Sequence, residues 1–407
     1  MSYNYKDIHE ILDGLDPDKI PMVGPALCDT AKGDLDYTLP DNLNDYYIPF
    51  YKKFLGDGKK DYSKFFCELQ PNTEFADVDG KISPKCKWID YNLKKGSSIN
   101  CGLHFPLSTA YLGSLSEREV NYTLENRKKV IDFGERIGVK YYTVHITQDG
   151  FISTDENYVS AKNILKKTIE YFVRKNTKAY ILIENLEYPK YPSTPQELFW
   201  WFNKVKEYDK DGRLKFGVII DVAHLWRTRG EIIKSINDGK QLPSWITEEK
   251  DIIFQPYRDL LNYTLKTKLQ NIPVIAFHFG GSYGYETHLI PGMRPYEDPD
   301  SADIRINRFY DENIEMNIKN TIKTIVKYYF DSYRGIKKLN DKTFRPLYIV
   351  TESFISYQHH VKQSLKYPAV IKGVKAVRDY TLQYFEKLNN KSKNRVKVYN
   401  FLKKTEK

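Results

Sequence analysis

The sequence predicts an α/β protein, a (β/α)8 barrel with insertions in the late βα units. Two observations carry this. Short apolar runs, rich in β-branched and aromatic residues, alternate with longer amphipathic segments along the whole chain. The runs also end, again and again, in histidine or an acidic residue, as expected where strand C-termini gather at one mouth. An open doubly wound sheet is the alternative. It lacks support because no Gly-rich phosphate loop follows the first strand.

The elements follow in order. Residues 1–20 and 39–55 read as helices, and 76–98 as a polar, turn-rich stretch. Runs at 20–27, 63–69, 99–103, 139–144, 179–183, 216–220, 273–277 and 346–350 read as strands, seven or eight of them in one barrel. Between them, 116–137 places Val120, Leu124, Ile131 and Ile137 at helical spacing, and Gly138 stops the helix. Residues 158–173 read as the next helix. Thr194-Pro195 opens another, with proline at its first position. Residues 314–329 and 374–388 complete the helical set.

A chain of 407 residues, 41% hydrophobic and 14% aromatic, can build a large core. It reads as a single domain over 1–407, with inserted segments near 230–270 and 295–345 and a basic C-terminal tail at about 389–407. No apolar run approaches the roughly 20 residues of a membrane span, so no membrane partner is expected. Four widely spaced cysteines without a CxxC pair, and no signal-like h-region, point to reduced thiols and a cytoplasmic setting. The net charge of +10 suits a polyanionic partner such as nucleic acid; a compositional bias toward Lys, Asn, Tyr and Ile explains it equally.

The chemistry concentrates at the strand ends. Of eight histidines, His104, His145 and His278 end predicted strands, and His224 and His288 lie just beyond strand ends. Glu184, Asp221 and Glu352 end three further strands, and Glu286 stands two residues before His288. Taken alone, Asp221-Val-Ala-His224 is either a helix N-cap with an incidental histidine or a metal-binding pair. The convergence of all nine residues on one mouth favours metal. One catalytic ion takes about three protein ligands, so nine candidates imply two or three divalent ions. Arg227, Arg229 and Arg294, on loops facing the mouth, are candidates to bind phosphate, with ordinary surface charge as the plainer account. Tyr283, in a Gly-rich loop, is a candidate to stack on a base or sugar, although it is one of 33 tyrosines. Trp200, Trp201 and Trp226 read as packing residues.

Over residues 99–355 these motifs resemble the xylose-isomerase-like TIM-barrel superfamily. The ligand pattern is similar to endonuclease IV: His104 in Gly-Leu-His-Phe-Pro, His145 after Tyr-Tyr-Thr-Val, Glu184 in Ile-Glu-Asn, Asp221-x-x-His224, His278, Glu286-Thr-His288 and Glu352. The resemblance implies a trinuclear zinc site, hydrolysis of abasic-site DNA, and Glu184, Asp221 and Glu352 as catalytic carboxylates. A glutamate replaces that family's aspartate at 286, and its Gly-rich stretches after Glu184 and His288 are absent. The chain also resembles multinuclear non-heme iron enzymes that oxidise cysteine-containing peptides, through Glu68–Glu74, His104-Phe-Pro-Leu-Ser and His278-Phe-Gly-Gly. That resemblance implies iron, a peptide substrate and a partner protein. Sugar isomerases and epimerases of the superfamily use Glu184, Asp221, His278 and Glu352 alone, for one ion such as manganese.

Overall fold

The computed structural model describes residues 20–28, 66–70, 100–106, 112–147, 155–242, 257–283, 286–292, 309–311, 314–336, 346–353 and 362–405. The helices expected over 1–20 and 39–55 and the stretch 76–98 lie outside the described residues.

Eight parallel strands close a barrel. They are β1 (Met22–Cys28), β2 (Phe66–Gln70), β3 (Asn100–His104), β4 (Tyr141–Val144), β5 (Tyr180–Glu184), β6 (Lys215–Asp221), β7 (Val274–His278) and β12 (Tyr348–Thr351). The spatial order is β1-β12-β7-β6-β5-β4-β3-β2, so sequence neighbours are spatial neighbours and β12 closes the ring between β7 and β1. Two small antiparallel hairpins stand apart: β8 (Gly281–Tyr283) with β9 (Glu286–Leu289), and β10 (Phe309–Asp311) with β11 (Ile314–Asn317).

The strands are buried on both faces, and their period of two divides the work. Cys67, Leu69, Cys101, Leu103, Tyr142, Val144, Ile181, Ile183, Val218 and Ile220 join the core shared with the helices. The alternate residues Phe66, Tyr141, Leu182, Ile219, Ala276, Tyr348 and Val350 form a separate cluster in the barrel interior. Phe66 and Tyr141 pack against Tyr348, with ring centroids 4.9 and 5.1 Å apart. One step further along the same inward rows stand Glu68, Thr143, Glu184, Asp221, His278 and Glu352. An apolar floor thus carries a polar layer, and the strand register sets its height.

Around the barrel run α1 (Glu117–Ile137), α2 (Asp155–Lys175), α3 (Pro195–Glu207), α4 (Val222–Asn237), α5 (Tyr257–Tyr263, continuing into a π turn at Thr264–Lys268), α6 (Ile318–Ile336) and α7 (Gln363–Thr405). Their ends follow local chemistry. Ser116 caps α1, which stops at Gly138 in the left-handed conformation, φ 70°. Thr194 and Glu197 form a reciprocal capping box on α3, with Pro195 at its first turn. The described residues include no helix long and apolar enough to cross a membrane.

The structure corrects two sequence readings. Residues 314–317 were expected to begin a helix; they are strand β11, because Ile314-Glu-Met-Asn finds a cross-strand partner in 309–311, and α6 starts at Ile318. Trp200 is 43% exposed, edge-on to buried Trp201 at 4.9 Å, whereas Trp226 is buried as expected.

Gly102 shows how tight the interior is. A Cβ built there would fall 2.2 Å from the Tyr141 ring. Gly102→Ala is expected to destabilise the fold by about 1–3 kcal/mol through overpacking, measured as a lower urea midpoint at unchanged slope.

Candidate metal centre

Each donor takes its place from the end of its strand. His104 is the last residue of β3, Glu184 of β5, Asp221 of β6 and His278 of β7. His145 and Glu352 each follow a strand by one residue. His224 lies in the first turn of α4, and His288 lies in β9, which the chain reaches directly from β7 through β8. His288 has φ 61°, a left-handed backbone conformation costly for a side chain of this kind.

The donors form two groups that share one carboxylate. In the first, His104 Nε2, His145 Nε2 and Glu184 Oε2 lie 2.9–3.2 Å from one another. In the second, Glu184, Asp221, His278 and Glu352 each offer one atom within 4.8 Å of the rest. His278 Nδ1 lies 2.7 Å from Glu184 Oε1 and 3.4 Å from Glu352 Oε2. The two oxygens of Glu184 therefore face different groups. At the mouth, His288 Nδ1 lies 3.2 Å from Glu352 Oε2, and the His224 ring meets the His288 ring edge-on at 5.4 Å.

The set fits a divalent cation. It combines imidazole nitrogens with carboxylate oxygens, the mixture suited to zinc, iron or manganese. Asp221 Oδ2 is buried and makes no hydrogen bond within the described structure, and Glu352 Oε2 meets only the imidazoles of His288 and His278, at 3.2 and 3.4 Å. A buried carboxylate oxygen without a donor is costly, and a cation relieves that cost. Asp221 divides its oxygens: Oδ1 accepts from the His224 backbone N–H at 2.7 Å and caps α4, while Oδ2 faces the second group. The helix N-cap reading of Asp221 is seen directly, and Oδ2 remains a candidate donor for a cation.

The imidazoles are aimed by their other nitrogens, a usual arrangement around metals. His104 Nδ1 contacts the Phe105 carbonyl at 2.6 Å, and His224 Nδ1 the Asn185 carbonyl at 3.1 Å. Asn185 also ties β5 to β6, accepting from Asp221 N–H at 2.8 Å and donating to the Asp221 carbonyl at 3.0 Å. His145 is held through its carbonyl, which accepts from buried Arg127 at 3.1 Å. The Arg127 guanidinium lies 5.0 Å from the centre of the Phe105 ring, and burial pulls its pKa down to about 10.

Burial and mutual charge shift the titrating groups. Burial penalises the Glu184 charge, but His278 and His145 outweigh it and hold the carboxyl well below its usual range. Glu352 is lowered likewise against burial, by His278 and His288. His278 loses stability as a cation through burial, yet Glu184, Glu352 and Glu68 raise it well above the usual imidazole value. Asp221 goes the other way: burial, only partly offset by His224 and reinforced by Glu352 and Glu184, pushes its carboxyl up to about 8.

The structure brings His104, His145, Glu184, Asp221, His278 and Glu352 together, with His288 and His224 beside them. Glu286 and Tyr283 lie in strands β9 and β8, but their side chains, and all of Arg294, lie outside the described residues. Arg227 and Arg229 were expected on a loop; they lie within α4, because Asp221 caps that helix at the strand end itself. The sequence reading did not include Glu68, Gln70 and Glu187 among the site residues. Glu68 and Gln70 belong to β2, and the alternation Phe66, Glu68, Gln70 was the available signal. Glu187 Oε2 lies 3.2 Å from His224 Nε2; burial opposes its charge, but His224 and Lys190 hold its carboxyl well below the usual range.

Ligation requires an ionised Asp221 and neutral imidazoles. The metal-free centre holds protons on Asp221 up to about pH 8 and on His278 above the usual imidazole range, so a cation must displace them. Affinity for a divalent ion is therefore expected to climb from pH 6 to pH 8, by roughly tenfold per pH unit for each proton released. Calorimetric titrations in two buffers of different ionisation enthalpy count those protons; a pH-independent affinity contradicts the displacement.

No protein-family model and no curated protein matches the chain. Solved structures match its architecture. A candidate xylose isomerase from Rhodospirillum rubrum is similar at a TM-score of 0.53 and 12% identity, over 88% of this chain and 99% of its own. An L-ribulose 3-epimerase gives 0.49 and 10%, over 92% and 97%. Endonuclease IV from Thermus thermophilus gives 0.45 and 12%, over 88% and 99%. What is shared at such identities is the architecture, a closed (β/α)8 barrel.

Proposed function

We propose that the chain is a multinuclear metal-dependent phosphodiester hydrolase acting on abasic-site DNA, with zinc as its metal. One observation carries the multinuclear part: the Glu184 carboxylate presents Oε2 to His104 and His145, and Oε1 to His278. A carboxylate shared between two donor groups is the arrangement that holds two ions side by side. Bound cations would polarise the phosphodiester, activate water and stabilise the leaving oxygen.

The chain's own residues supply the frame. His104 and His145 would hold one ion against Glu184. Asp221, His278 and Glu352 would hold the second from the opposite wall. His224 and His288, at the mouth, would border the space a substrate enters. The net charge of +10 favours a polyanionic substrate. Soluble partners and a cytoplasmic setting remain part of this proposal.

A sugar isomerase or epimerase is the second reading. Glu184, Asp221, His278 and Glu352 form a complete donor set for one ion by themselves, and in that case His104 and His145 would contact substrate hydroxyls.

Elemental analysis of protein purified without added metal separates the two. The hydrolase predicts two or three zinc ions per chain, at least one lost in the His145→Ala/His288→Ala variant. Steady-state cleavage of an abasic-site duplex should fall by about 100-fold or more with it. A metal-replete protein that leaves the duplex intact sinks the hydrolase. One manganese ion, retained in the variant, moves the reading to the isomerase; iron in similar amount moves it to peptide oxidation.

A further inference from the structure

Below the donors sits a carboxylate that neither reading uses. Glu68, in the middle of β2, is fully buried and accepts from four groups. Tyr141 Oη and Thr143 Oγ1 donate to Oε2 at 2.7 and 3.1 Å. Gln70 Nε2 donates to Oε1 at 2.7 Å, and His278 Nε2 meets Oε1 at 2.8 Å. The last contact crosses the barrel interior, since β2 and β7 are three strands apart around the ring. Gln70 Nε2 also reaches Glu352 Oε1 at 2.9 Å.

We infer that Glu68 and Gln70 are positioning residues for the group of four: Glu68 fixes the ring and tautomer of His278, and Gln70 fixes which oxygen of Glu352 is presented. The inference rests on the reading of that group as a cation site.

The argument is one of hydrogen-bond capacity. A neutral imidazole has one N–H and one lone pair. Glu68, itself held by Tyr141 and Thr143, is an acceptor and so fixes the proton on His278 Nε2. The lone pair then lies on Nδ1, which faces Glu184 and Glu352. On the neighbouring carboxylate, Gln70 occupies Oε1 of Glu352 and leaves Oε2 to face the imidazoles of His278 and His288, at 3.4 and 3.2 Å. One strand thereby sets the donor atom of two ligands on two other strands. Space for the arrangement comes from Gly102, whose missing side chain admits the Tyr141 ring. An ordinary structural carboxylate would need only partners; this one takes the far nitrogen of a candidate ligand.

The test titrates metal-free protein with Co2+ alone and follows both affinity and the visible d–d spectrum. In Glu68→Gln an amide replaces the charged acceptor. Co2+ affinity at the group of four should fall by roughly 10- to 100-fold, with an altered d–d envelope, while the ion held by His104, His145 and Glu184 keeps its affinity. Gln70→Leu removes one neutral donor and carries the test should Glu68→Gln not fold; about a tenfold loss is expected. Unchanged affinity and spectrum in both variants overturn the positioning role. So does an equal weakening of both ions, which is what general loosening of the barrel produces. Absence of Co2+ uptake by the unaltered protein is a different failure: it removes the metal reading, and this inference with it.

Discussion

The centre depends on one buried carboxylate with three imidazole contacts. Glu184 stands on β5 and uses both oxygens, one toward β3 and β4, the other toward β7. Moving it by a fraction of an ångström to improve one group weakens the other. The barrel therefore has to be rigid at this height, and closed hydrogen-bonded strands supply that rigidity without an edge that can slip. Leu182, two residues earlier on the same strand, belongs to the interior apolar cluster and keeps the Glu184 row facing inward.

Such a site is electrostatically demanding. Glu68, Glu184, Asp221 and Glu352 are all buried, and so are His104, His145, His224 and His278. Charges at this depth persist only when paired and hydrogen-bonded. Protonated imidazoles meet part of that demand in the metal-free protein, and the protonated Asp221 carboxyl meets more of it. The same groups are the candidate ligands, for which cations would displace the protons. Arg127 adds a buried positive charge behind the His145 carbonyl, with Thr168 as its side-chain acceptor at 3.1 Å. It stiffens the β4 end without offering the site a competing donor atom.

The architecture was legible because strand and helix periods alternate so regularly, and because His104, Glu184, Asp221 and His278 sit at the last position of their runs. Chemistry-bearing residues at strand termini are a local signal that survives without knowing the register. Glu68 entered the sequence reading only through a family resemblance, and its contacts in the site were hidden. It is in the interior of an apolar run, where a lone carboxylate reads as an oddity, and its partner His278 lies 210 residues away. Gln70 reaches Glu352 across 282 residues. Such contacts exist only after barrel closure, and nothing in local spacing announces them. The expected helix at 314–317 failed similarly: its apolar spacing was right, but a pairing partner at 309–311 decided the outcome.

Closure also dictates an order of assembly. His104, His145 and Glu184 come from three strands that are consecutive in both sequence and space, β3, β4 and β5. That group can form as soon as a partial sheet has folded. The group of four takes its last member from the far end of the chain, because Glu352 follows β12, the last barrel strand in the sequence, which pairs with β7 and β1. During synthesis, nearly nine-tenths of the chain must emerge before the second group is complete. The first donor group is thus complete in the chain well before the second, and the final barrel strand supplies the last candidate donor.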